Sequence, residues 1–164
     1  MQPSVEADLL EMAQRVIESN RYMTLGTLEP DGTPRLSPVR FVADGIQDLY
    51  WASAHLAQHS RNLALRPAIQ VVIYNSAAEK DQGEGVYLGA TAKEVPSESI
   101  ESTLARLAVR RGSAQGPVPT DFRGESPMRL YHAEVLSCEV HVSRFHQTLG
   151  TGVDLRRSVQ LPSR

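Results

Sequence analysis

Four polar residues in a row, His59, Ser60, Arg61 and Asn62, stand where a strand-like run ending in Trp51-Ala52-Ser53 gives way to a short helical pattern. Each residue type suits an anion. A helix start carries roughly half a positive charge and N–H groups without carbonyl partners. An arginine adds a planar fork that matches phosphate or carboxylate oxygens. The Ser60 hydroxyl donates, His59 donates or becomes cationic, and Ser53 is placed to close the other side. The same residues also suit an ordinary solvated helix start capped by Ser60 or Asn62. Local sequence weighs the two readings evenly.

Other chemistries find less support. The histidines, His55, His59, His132, His141 and His146, never fall in an HxxxH or HExxH pattern, so no local zinc signature exists. Scattered in this way they read as structural or surface residues. Ser53, Ser60 and Ser76 lack the GxSxG elbow of a serine hydrolase. The one cysteine, Cys138, excludes an intrachain disulfide and a multi-cysteine metal site. It lies in the alternating run AEVLSCEVHV, which makes it a buried structural thiol. Neither GxGxxG nor GxxxxGK[ST] occurs, which removes the dinucleotide turn and the P-loop.

Composition bounds the rest. With 164 residues, 41% of them apolar and 22% charged, the chain suits one soluble globular domain and is short for two. A net charge of −2 provides no bulk basic field for nucleic acid. Lys80 and Lys93 are the only lysines among 17 basic residues, a skew from which no function is read. No stretch of 18 apolar residues and no basic-then-apolar leader occurs, so the expectation is a cytoplasmic protein with no membrane partner.

The elements that must position these groups follow from periodicity. Val5 to Ser19 has helical spacing, with Ser4 as its cap. YMTLGTL is a strand, EPDG a turn and TPRLSPVRFVA a second strand. After a DGIQ turn, DLYWAS is the third. Pro34 and Pro38 cannot donate to a ladder, so the second strand is expected at an edge, irregular, or facing a ligand there. HSRNLALRP is one short helix stopped by Pro67, and AIQVVIYN and VYLGATAKEV are further strands. SESIESTLARLAVRR is a helix, and MRLYHAEVLSCEVHV is a sixth strand or a pair broken by a bulge. Residues 112–127 form a loop too long for mere connection. A last strand is expected around 153–161. Tight turns between the first three strands favour an antiparallel barrel over a parallel sheet.

The run from Tyr22 to Val95 resembles the pyridoxamine 5′-phosphate oxidase-like, FMN-binding split-barrel family. The resemblance rests on the second strand DG.P...PV.F, the third strand ending Trp-Ala-Ser, the H.RNL helix start, and the Gly-x-Ala step in GVYLGATAKEV. It implies a mainly β (α+β) fold over residues 1–164: an N-terminal helix at 4–19, a six-stranded antiparallel split barrel at 22–142, and an irregular tail at 143–164. It also implies a homodimer with cofactor sites at the subunit interface. By position, Ser37, Pro38, Val39, Arg40 and Phe41 would run beside a flavin ring, with backbone groups around Pro38 and Val39 facing its polar edge. Trp51, Ala52 and Ser53 would meet the ribityl chain and phosphate, although plain core packing explains Trp51 equally well. His59, Ser60, Arg61 and Asn62 match the phosphate-binding helix start.

The departures narrow the function. Leu36 stands where the true oxidases carry an arginine, Ser-Arg-Asn where they carry Arg-Lys, and Gly85 where they carry a glutamine. Their substrate-binding C-terminus is absent, so the vitamin B6 reaction is not expected. The expectation is an FMN-binding oxidoreductase acting on a small molecule. Flavin chemistry needs no protein acid or base, and Tyr87 and Arg40 are second players on position alone. Alternatives are an 8-hydroxy-5-deazaflavin-dependent reductase, which Arg35 and Arg66 leave open, a flavin- or haem-binding carrier without turnover, and a structural dimer with no cofactor. Substrate specificity is expected from residues 112–127 and the tail.

Overall fold

In the computed structural model, which describes residues 4–79, 81–111 and 116–163, the elements follow the order read from the sequence. Helix α1 spans Val5–Ser19, and its first turn is capped by Ser4 Oγ, which accepts from Ala7 N–H at 3.3 Å. Strands β1 (Tyr22–Leu28), β2 (Pro34–Asp44) and β3 (Asp48–Ala54) meander through two tight turns. Gly32 and Gly45 occupy those turns with φ of 89° and 73°, a region closed to most side chains. Helix α2 (Gln58–Leu65) leads to β4 (Ala68–Tyr74) and β5 (Gly85–Glu94), then α3 (Ile100–Arg111), β6 (Met128–Val142) and β7 (Leu155–Val159).

The sheet runs β3-β2-β1-β4-β5-β6-β7, and a further pairing of β3 with β6 closes six of these strands into an antiparallel barrel. β7 then takes over from β3 on the same edge of β6, opposite Cys138–Val142. One residue makes this double duty possible. The β5–β6 register shifts between Gly89 and Ala90, leaving Leu136 as an extra residue in β6. Val135 and Cys138 are both buried, so the inward positions change parity across a bulge. β6 is therefore one bulged strand.

The interior holds Leu25, Leu49, Ile73, Val86, Leu88 and Val140, each 2% exposed or less, together with Trp51. α1 lays Leu9, Met12, Ala13, Val16 and Ile17 on this core at the end where β5 begins, near the Arg15–Glu84 ion pair. α2 sits at the other end, where Asn62 meets Thr27 of β1. A second apolar cluster lies under α3, where Ile100, Leu104 and Leu107 pack with Tyr50, Val95 and Leu130. Phe122 completes it, carried by a short 3₁₀ turn, Pro119–Phe122. The connection, expected to be more than a mere link, is docked over residues 116–127. Arg123 donates to the Ser97 carbonyl and His55 to the Pro127 carbonyl. Residues 112–115 of that loop lie outside the described residues.

Candidate functional site

β2 is long because it serves two neighbours in turn. Pro34–Arg40 pairs with β1, whereas only Phe41–Asp44 pairs with β3. Beyond Phe41 and Trp51 the strands part. The second edge of β2 over Pro34–Arg40 has no strand partner among the described residues, and Ala52–Ala54 of β3 pairs only with β6. The two proline positions fall on this free edge, where a missing N–H costs no ladder bond. The expected ring segment, Ser37–Phe41, and the strand end Ala52–Ser53 therefore face each other across a fork in the barrel. Val39 and Phe41 turn inward at 8% and 6% exposure, while Pro38 and Arg40 turn outward and Ser37 is half-buried. What the segment offers a ligand is its backbone edge and its outward side chains.

α2 follows at the end of β3. Its N-terminal residue Ala57 supplies no side-chain cap, and no acidic residue occupies the first turn. Its first-turn N–H groups are left without a side-chain acceptor, with the dipole at its positive end. His59 Nε2 and Ser53 Oγ lie 3.0 Å apart, joining the helix start to the strand end. Burial, and after it the charge of Arg35, push the His59 pKa below its ordinary value, which keeps the ring neutral near pH 7. Ser60 is 4% exposed and its Oγ has no well-formed hydrogen bond. Its neighbour is the Tyr131 hydroxyl, close enough for Ser60 to favour the ionised phenol slightly, against the stronger upward push of burial. Arg61 is exposed and forms no ion pair with a described residue.

Asn62 turns the other way. Fully buried, its Nδ2 donates to Thr27 Oγ1 at 3.1 Å and its Oδ1 accepts from Gln58 Nε2 at 3.0 Å. It fastens α2 to β1 and presents nothing to the surface. The Trp51 ring belongs to the core, 2% exposed and stacked on Tyr131 with centroids 5.6 Å apart. Among the described residues its Nε1 is the other buried side-chain polar atom without a partner. Tyr131 escaped the sequence reading: it comes from β6, and only the alternation of that strand hints that it points inward.

Ser53, His59, Ser60 and Arg61 thus share one corner with an uncapped helix start. An orphaned buried hydroxyl beside free N–H groups is what a phosphate can satisfy. The free edge of β2 offers backbone donors and acceptors to the polar rim of a planar ring. The residues present fit a phosphate-bearing flavin. Arg35 and Arg66, by contrast, are engaged: Arg35 with the Glu29 carboxylate, Arg66 with the Glu29 and Pro30 carbonyls.

Surface grooves border the β2 segment without reaching α2. One of about 650 Å³ follows the β1–β2 turn, one of about 700 Å³ opens where β2 meets the end of α1, and one of about 350 Å³ crosses the outer face of β1, β4 and β5. None of the three includes a residue of α2. Among the described residues no group of three or more His, Cys, Asp or Glu is gathered for a metal ion. No helix among them is long and apolar enough to cross a membrane.

A sequence profile described as pyridoxamine 5′-phosphate oxidase matches residues 9–138. No curated protein matches the chain. Among solved structures, a heme binding protein from Mycobacterium smegmatis is 22% identical with a TM-score of 0.64, over 96% of this chain and 59% of that one. The heme storage protein HutZ of Vibrio cholerae is 20% identical with a TM-score of 0.62, over 84% of this chain and 96% of its own. A structure named F420 reductase is 18% identical with a TM-score of 0.52, over 84% and 98%. At these identities the likeness is one of fold.

Proposed function

Because the chain belongs to the pyridoxamine 5′-phosphate oxidase family, we propose that it is a dimeric FMN-dependent oxidoreductase acting on a small molecule other than the vitamin B6 phosphates. The observation that carries this reading is the fork between β2 and β3 with the uncapped α2 start at its base. When bound, the flavin supplies the hydride and electron chemistry. The chain's part is to bind, orient and shield. The Pro34–Arg40 edge offers main-chain hydrogen bonds to the ring, so the ring docks where the β2–β3 ladder would otherwise continue. Ser53, Ser60, Arg61 and the first N–H groups of α2 hold the phosphate. His59, neutral in the free protein, donates a hydrogen bond there and takes up a proton as the phosphate dianion binds. Asn62 acts at one remove, holding the helix start in place through Thr27.

Two features select among ligands. The arginines that a longer anionic tail would call on, Arg35 and Arg66, already hold the β1–β2 turn, which favours FMN over a deazaflavin. Leu36 is 72% exposed in place of the oxidase arginine, and Gly85 replaces the glutamine, which speaks against the vitamin B6 reaction.

The test is the absorbance spectrum of the purified protein, with mass identification of whatever co-purifies. A flavin band near about 450 nm is expected, from bound FMN or after titration with it. A colourless protein that does not quench added FMN would refute the proposal, as would a Soret band from haem or uptake of deazaflavin alone. Arg61→Ala should weaken FMN binding about 10- to 100-fold, the usual worth of a charge-assisted contact. Being exposed, it should leave the melting temperature nearly unchanged.

A further inference from the structure

The groove of about 700 Å³ at the far end of β2 is lined by the end of α1 and by Arg21, Arg40, Phe41, Val42, Gly45 and Arg110. Its size lies within the range of small-molecule sites, about 300–1,000 Å³. Its charge is one-sided. Glu18 is the only acid in its lining, and Asp44 nearby is shared between Arg106 and Arg110 at 3.0 and 2.7 Å. One carboxylate between two guanidiniums leaves positive charge over, in a chain whose net charge is −2.

Most of the described arginine side chains are otherwise spoken for. Those at positions 15, 35, 66, 106, 110, 123, 129, 144 and 156 each meet a carboxylate, a carbonyl or a ring. Among the described arginine side chains only Arg21, Arg40, Arg61 and Arg157 make no such contact. Two of these four line the same groove, brought together because Phe41 N–H donates to the Arg21 carbonyl at the end of the β1–β2 ladder. Two guanidiniums without partners lining one groove raise its positive potential, and an anion bound there lowers it. Arg40 also ends the segment proposed to run beside the flavin ring, so the groove opens directly off it.

We infer that this groove binds an anionic small molecule through carboxylate or phosphate oxygens, held by Arg21 and Arg40 with Arg110 at its rim. The anion site stands on the groove alone. Its use as the compartment for substrate or electron donor rests on the flavin reading above, and would make the substrate an acid.

Calorimetric titration of the purified protein with pyrophosphate and, separately, with citrate tests this. Saturable binding of at least one probe is expected, weakened by added salt as exposed charge contacts are. Tighter pyrophosphate assigns a phosphate ligand and tighter citrate a carboxylate. Arg21→Ala and Arg110→Ala should each lower the affinity at least about tenfold. Arg157→Ala, which removes the same charge outside the groove, should not. Equal loss in all three variants would mean diffuse charge attraction, and no binding, or binding unchanged in Arg21→Ala, would overturn the inference. The flavin spectrum of the same samples is read independently. FMN uptake without anion binding sinks only the groove, and anion binding without FMN uptake sinks only the flavin.

Discussion

His59 is where the chemistry of the candidate site is most exposed to measurement. A histidine at a phosphate site is usually pictured as a cation, yet burial and the nearby Arg35 both oppose its charge. Because the folded pKa lies below the unfolded value of about 6.5, the unfolded chain binds the proton more readily. The stability tied to the neutral ring is therefore complete above about pH 6.5 and is lost as the pH falls through the folded pKa. A phosphate dianion reverses the balance, since its charge favours the imidazolium. FMN should then bind more tightly as the pH falls from about 8 to 6, with proton uptake visible in titrations using buffers of different ionisation heat. His59→Gln should remove that uptake, and uptake persisting in the variant would place the proton elsewhere. Cys138, with its thiol pushed up to about 12 by burial, takes no part. The types and order of Ser53, Ser60 and Arg61 suggest anion donors locally, and the structure sets Ser53 and Ser60 beside the start of α2. The sequence did not reveal that Asn62 points inward, since its partner Thr27 lies 35 residues away.

At the scale of elements, nearly every helix and strand was legible, because each announces itself by a local period and ends at a Gly, Pro or Asp-Gly turn. What stayed hidden depends on distant pieces meeting. A bulge in the sixth strand was one of the two readings of its sequence, but its place at Leu136 shows only in the facing register, because the run alternates on both sides of it. The 3₁₀ turn Pro119–Phe122 looked like loop because three prolines and two glycines surround one aromatic between Gly116 and Pro127. That aromatic is 4% exposed and plugs the cluster beneath α3. Phe122→Ala should cost about 3–5 kcal/mol in denaturant unfolding, the range for a buried ring replaced by a cavity. A loss under about 1 kcal/mol would mean that residues 116–127 undock without troubling the barrel.

For the whole molecule, closure of the barrel through β3 and β6 could not be read locally, since Asp48 and Glu134 meet across most of the chain. Topology and resemblance supplied the barrel; periodicity alone supplied strands. The candidate corner at α2 lies outside the three grooves described above, and a second copy is proposed to complete it. Sedimentation should give a mass near twice 18.1 kDa, and dilution to monomer should release FMN together with dimer dissociation. A monomer that retains FMN would remove the partner from the site. The free edge of β2 has one more consequence, for the protein before any cofactor arrives. A strand edge left unpaired over seven residues invites foreign strands to zip onto it, and that is how many proteins aggregate. Here Pro34 and Pro38 bring no N–H, and Arg35 and Arg40 set like charges along the same stretch. A rim proposed to meet a ring's own donors and acceptors is thereby a poor template for another polypeptide.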